Sequence, residues 1–179
     1  MEKRSEFTIQ FASLPAGEHS FDFAINDSFF KGYEHPLLEK ANVQVEVKVL
    51  KALLNMQLTF HFKGTIKLEC GRCLEEFDMP VDAVIHLPVR QVTNEEDEEE
   101  DGADDVLNIL GSDQTIDLAP HFYDYLSLQV PLNPVHAEDK KGVPSCNPEV
   151  LKLLKKIEAK PAETPKDPRW DALRNIKLN

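Results

Sequence analysis

Residues 65–85 read TIKLECGRCLEEFDMPVDAVI. Two runs that alternate apolar and polar residues flank a pair of cysteines three positions apart, Cys70 and Cys73. Upstream, the apolar side chains fall on even positions: Leu58, Phe60, Phe62, Ile66 and Leu68. Downstream they fall on odd ones, from Phe77 through Met79, Val81, Ala83, Ile85 and Leu87 to Val89. A period of two is the signature of a strand with one face on a core. The change of parity across Cys-Gly-Arg-Cys therefore predicts an antiparallel hairpin with the cysteines near its tip. Gly64 marks a place where a strongly bent strand tolerates a missing side chain.

The same reading extends to both sides. VQVEVKV, residues 43–49, alternates strictly and predicts a strand, and VLNIL, residues 106–110, another, ended by Gly111-Ser112-Asp113. FTIQFASL (7–14) and HSFDFAI (19–25) read as a short strand pair joined through Pro15-Ala16-Gly17. Beyond residue 116 the pattern becomes helical. Asp117 is placed to cap LAPHFYDYLSLQV, with Pro120 in the first turn and Pro131 as the stop. Asn147 and Pro148 open a second helix, EVLKLLKKIEAK, with Val150, Leu151, Leu153, Leu154 and Ile157 as its apolar stripe. Asp167-Pro168 opens a third that contains Trp170 and Leu173. Strands first and helices last predict an α+β fold. The expected form is a twisted antiparallel sheet or partly open barrel with the C-terminal helices packed on one side, all in a single domain over 1–179.

With 179 residues, 41% hydrophobic and 29% charged, the chain has apolar surface enough for one core. Its first residues, MEKRSEFTIQF, contain no apolar stretch of signal-peptide length, and no long apolar run occurs later. A cytoplasmic protein is expected. Three cysteines, Cys70, Cys73 and Cys146, suit a reducing compartment better than a disulfide framework.

Three readings of Cys70-Gly71-Arg72-Cys73 compete. A C-x2-C turn aims two thiolates at one point, and with Cys146 and His136 from the later loop it would complete a Cys3His site for one structural zinc. Alternatively it is an ordinary turn with two small buried thiols. As a redox pair it is disfavoured, because LEEFDMP continues into a strand instead of opening a helix. The remaining histidines offer no catalytic grouping: His61 and His86 fall on the polar phase of their strands, and His19, His35 and His121 have no positioned acid or nucleophile beside them. No phosphate loop, nucleophile elbow or H-E-x-x-H motif is present. We expect no enzyme and no small-molecule substrate.

The net charge of -12 is unevenly placed. NEEDEEEDGADD, residues 94–105, carries nine carboxylates and reads as a solvated, flexible loop or as a lure for a basic partner. The C-terminal part, residues 140–179, holds ten Lys/Arg against five Asp/Glu. There Lys152, Lys155 and Lys156, with Arg169 and Arg174, are either a solvated face or contacts to RNA phosphates or to a partner.

In order along the chain, ECGRCLEEF with its alternating strand, the acidic insertion, IDLAPHFYDYLSLQVPLNPVH, Cys146 and DPRWDALRNIKLN resemble the YceD-like family, also called large ribosomal RNA subunit accumulation proteins. The resemblance covers roughly residues 40–179. It implies a bacterial, cytoplasmic, non-enzymatic protein that supports accumulation of 23S ribosomal RNA through its synthesis, processing or protection. Its partners would be a large-subunit RNA precursor or ribosomal and assembly proteins, with no membrane involved. The family's cysteine pair maps onto Cys70 and Cys73, and its C-terminal cysteine position onto Cys146. Some relatives carry several cysteines near the C-terminus, whereas this chain has one, so a metal here depends on His136 or water as well. The alternative is a zinc-stabilised protein-binding adaptor without direct RNA contact.

Overall fold

A computed structural model describes residues 4–33, 38–52, 55–92, 106–138 and 144–158. The chain divides into two compact units, residues 1–136 and 137–179. The first holds a five-stranded sheet, ordered β2 (Gly17–Ile25), β3 (Ala41–Lys51), β4 (Met56–Glu69), β5 (Glu76–Val92) and β6 (Leu107–Leu110). A two-residue ladder between β1 (Thr8–Ile9) and β7 (Ile116–Asp117) ties the N-terminal segment to the start of helix α2 (Ala119–Leu128).

Alternation in the sequence becomes alternation in burial. Val43, Val45, Val47 and Val49 of β3 and Leu58, Phe60, Phe62 and Ile66 of β4 are almost wholly buried. Each such side chain contributes about 1.5–3 kcal/mol by leaving water. Helix α2 covers this face: the Phe122 ring stands edge-on to Phe60 and Phe62, with centroids 5.8 and 6.0 Å away. Edge-on ring pairs add about 0.5–1.5 kcal/mol to burial, so burial dominates and ring geometry sets the angle at which the helix seats. Phe7 and Phe23 complete the cluster against Phe122. Helix α1 (Asp27–Phe30) is held by the side chain of its N-cap Asn26, which accepts from the Ser28 N–H.

The central hairpin forms as expected, with the cysteines at its tip: Met56 faces Val89 at one end and Glu69 faces Glu76 at the other, without interruption. Gly64 explains itself by close approach. A Cβ there would overlap the Asn42 carbonyl oxygen and lie 2.7 Å from the Val43 Cα, both backbone atoms that cannot swing aside. β4 and β5 also outrun β3, whose last pairs are Asn42↔Thr65 and Ala41↔Ile66, so the cysteine tip projects past the neighbouring strand.

The α+β class is as expected, with a sheet that is mixed and not closed: β5 and β6 run parallel, Val89↔Leu107 to Val92↔Leu110. Parallel neighbours require a crossover connection, and the acidic run 94–105 lies within it, outside the described residues. The proposed pairing of residues 7–14 with 19–25 is incorrect. Only Thr8–Ile9 is strand, Phe11–Ser13 is a 3-10 turn, and β2 pairs along its whole length with β3. Nine continuous pairs with a valine-rich strand satisfy far more backbone groups than a partner ending at Pro15, which has no N–H to offer.

Asp117 caps α2 from one position earlier than expected, its carboxylate accepting from the Ala119 N–H at 3.0 Å while Leu118 is the N-cap. The helix ends at Leu128, ahead of Pro131. In the second unit, α3 (Pro148–Glu158) starts as predicted, with Asn147 Oδ1 accepting from the Glu149 N–H at 2.9 Å. Before it, Glu138 and Pro144 form an isolated bridge, and the Ser145 N–H reaches the Ala137 oxygen. The stripe of α3 is divided: Val150, Leu151 and Leu154 are half-buried, whereas Leu153 and Ile157 are 60% and 68% exposed. The third predicted helix, at 167–173, lies outside the described residues.

Candidate metal centre

The tip of the β4–β5 hairpin is closed by its own backbone. The Cys70 N–H donates to the Glu75 oxygen at 3.0 Å, and the Leu74 N–H returns to the Cys70 oxygen at 2.8 Å. Leu74 adopts a left-handed conformation (φ 61°), costing a non-glycine residue about 1–2 kcal/mol, and its side chain is 71% exposed. Closing so tight a loop brings both cysteine side chains inward. Cys70 and Cys73 are buried thiols with no disulfide.

Against this tip lies the segment after α2. The Gly71 N–H donates to the Pro134 oxygen at 2.7 Å. Gly71 permits the approach because a Cβ would run into the Asn133 side-chain oxygen. Two residues further on, His136 turns Nδ1 to the Cys73 sulfur at 3.4 Å. Its ring packs at 4.8 Å from the ring of Phe77, the first apolar residue of the returning strand. The donor atoms of Cys70, Cys73 and His136 all lie within 4.8 Å of one another. Ligands of a tetrahedral zinc, each about 2.3 Å from the ion, sit about 3.8 Å apart, so the three donors fit such a centre with small adjustment.

The electrostatics favour a metal-binding form of the sulfur. Burial pushes the Cys70 thiol up, but the backbone N–H groups of Cys73, Arg72 and His136 and the His136 ring outweigh it, and the thiol is held below its ordinary range. One of those donors, the Arg72 N–H, is 3.5 Å from the Cys70 sulfur. The pair sits between antiparallel strands, and the polarisation comes from amides of the turn together with the amide and ring of His136.

Cys146 belongs to the second unit, where it is buried and stands immediately before the N-cap of α3. Lys152, Lys155 and Lys156 are exposed on that helix, while Arg169 and Arg174 lie outside the described residues. His61 and His86 point to the outer face of the sheet as expected, bonded to Asp82 at 2.9 Å and to Thr59 at 3.0 Å. His121 is half-buried beside Tyr125, and burial lowers its pKa. His19 bonds to the Pro15 carbonyl, and His35 is outside the described residues. The sequence singled out the ligands but not Gly71, Asn133, Pro134 and Phe77, which place them. The glycine between the cysteines and the Asn-Pro two residues before His136 were the available signals.

A family model, "Large ribosomal RNA subunit accumulation protein YceD", matches residues 58–177. No curated protein and no solved structure matches the chain.

The lowered thiol has a sign that can be measured. Its folded-state pKa lies below the unfolded value of about 8.5, so the thiolate stabilises the metal-free fold fully above that value. The contribution is lost as pH falls through the depressed folded pKa. At neutral pH the metal-free protein should show ultraviolet thiolate absorbance that Cys70→Ser removes. Absorbance that develops only above pH of about 8.5, unchanged by Cys70→Ser, contradicts the assignment.

Proposed function

The chain belongs to the YceD family of large ribosomal RNA subunit accumulation proteins, and from that membership we propose that it is a non-enzymatic accessory factor of ribosome biogenesis. It acts in the cytoplasm and supports accumulation of large-subunit 23S ribosomal RNA. The observation that carries this reading is the reach of the family match, from the hairpin strand β4 through the cysteine tip and α2 into the C-terminal part. Its partners are a large-subunit RNA precursor or proteins assembled on it.

Charge narrows how contact is made. At -12 overall, the chain repels a nucleic-acid backbone most strongly at the run 94–105, which holds nine carboxylates, and least in the basic part beyond residue 140. RNA contact in this account falls on the lysines of α3 and the basic residues that follow, Arg169 and Arg174. Each phosphate neutralised makes binding more salt-dependent. The same acidity favours a second reading, in which a basic protein is the direct partner and RNA is reached through it.

The cysteine tip is a structural zinc site in this account. Cys70, Cys73 and His136 supply three ligands, and we assign the fourth to Cys146. That assignment rests on donor chemistry: tetrahedral zinc lacks one ligand after these three, and Cys146 is a buried thiol before a helix N-terminus, where thiolate is favoured. The role is bracing, since a site with four protein ligands leaves no position for substrate.

Cells depleted of the protein should show a lower ratio of large- to small-subunit ribosomal RNA, and the protein should associate with large-subunit precursor particles in a salt-sensitive way. An unchanged ratio together with no such association contradicts the function. Separately, elemental analysis of untagged protein should find about one zinc per chain. Cys73→Ser should lose that zinc and lower the melting temperature. Less than about a tenth of an equivalent in the unaltered protein contradicts the site.

A further inference from the structure

The sheet has two edges, and they are managed differently. Strand β6 is four residues long, the usual way of making an edge unattractive. Strand β2 is nine residues long, contains no lysine, arginine or proline, and runs in unbroken register with β3 from Gly17↔Lys51 to Ile25↔Val43. Among the described residues, nothing pairs with its outer side.

Which backbone groups face outward follows from the ladder phase. The Ala52 N–H donates to the Asn55 oxygen just beyond the end of β3, and the Lys67 N–H to the Lys40 oxygen at the other end. Even-numbered residues of β3 therefore bond to β4 and odd-numbered ones to β2. The β2 partners of those odd residues are odd themselves, as in Val47↔Phe21 and Val45↔Phe23. Glu18, Ser20, Asp22 and Ala24 thus turn their N–H and C=O groups away from the sheet, and their side chains are exposed.

We propose that this edge is the contact between two copies of the chain, which join β2 to β2 antiparallel about a two-fold axis at Phe21. The register is selected by charge. With Phe21 opposite itself, Ser20 faces Asp22 of the second copy and Glu18 faces its Ala24, so all four outward residues pair and no like charges stand directly opposite. A shift of two residues one way sets Glu18 against Asp22, and the other way sets Asp22 against itself, both unfavourable. A shift of one residue mismatches every donor and acceptor. The selected register forms about eight backbone hydrogen bonds and brings the half-buried Phe21 rings together on the core side. The interface is isologous, so it closes as a dimer instead of propagating.

The net charge of -12 on each copy opposes association, and salt screens that repulsion. Sedimentation of the full chain over a concentration series should therefore show a monomer–dimer equilibrium that tightens with added salt. Ala24→Glu places a carboxylate opposite Glu18 of the second copy twice per dimer and should weaken dimerisation about tenfold; Ala24→Lys should strengthen it by a similar factor. Residue 24 is exposed and its backbone does not bond to β3, so both variants keep the fold, checked by their melting curves. A monomer at every concentration and salt level overturns the proposal. So does a dimer whose affinity moves in the same direction, or not at all, in the two variants.

Discussion

One backbone hydrogen bond organises the candidate site: the Gly71 N–H to the Pro134 carbonyl, 2.7 Å across the end of the longest hairpin. Because β4 and β5 outrun β3, the tip has no neighbouring strand to shelter it. The segment after α2 takes that role, and the bond fixes where it crosses. Such a bond contributes only about 0.5–1.5 kcal/mol net. Its importance is positional, since it sets His136 within reach of Cys73 and stacks the imidazole on Phe77. Gly71 is required for closeness, Pro134 for a stiff approach, and the amides of the turn with His136 for the lowered pKa of the Cys70 thiol.

The parts legible in the sequence were those governed by short-range periodicity. The parity change across Cys70 and Cys73 marked the hairpin and the buried face of each strand, with Phe60 and Phe62 on the core side. Asn147 with Pro148 gave the start of α3 for an equally local reason, the free N–H groups of a first turn. The donors at the tip were legible as residue types. What escaped was non-local. Nothing in HSFDFAI says that its partner is VQVEVKV and not the nearer FTIQF, and nothing in VLNIL fixes its direction beside β5. Likewise, Asn133 and Pro134 look like ordinary loop residues until the hairpin tip is set against them.

The proposed role is that of a scaffold, and the residues at the tip suit bracing. The donors at the tip are two buried thiols and a half-buried imidazole, and His61 and His86 lie on the solvent face of the sheet, bonded to Asp82 and Thr59. A hairpin tip held by the segment after α2 and a lysine-bearing helix in the second unit are the described features that such a role would use.

The central claim is that the tip is clamped before any metal arrives, and the amide of Gly71 reports on it directly. In native-state hydrogen exchange of the metal-free protein, that amide should be protected to a degree comparable with the neighbouring β4–β5 ladder, because opening it requires the 131–136 segment to lift away. Exchange at the rate of an unstructured loop, with the ladder amides still protected, would mean that the hairpin ends free and that the site is not preformed.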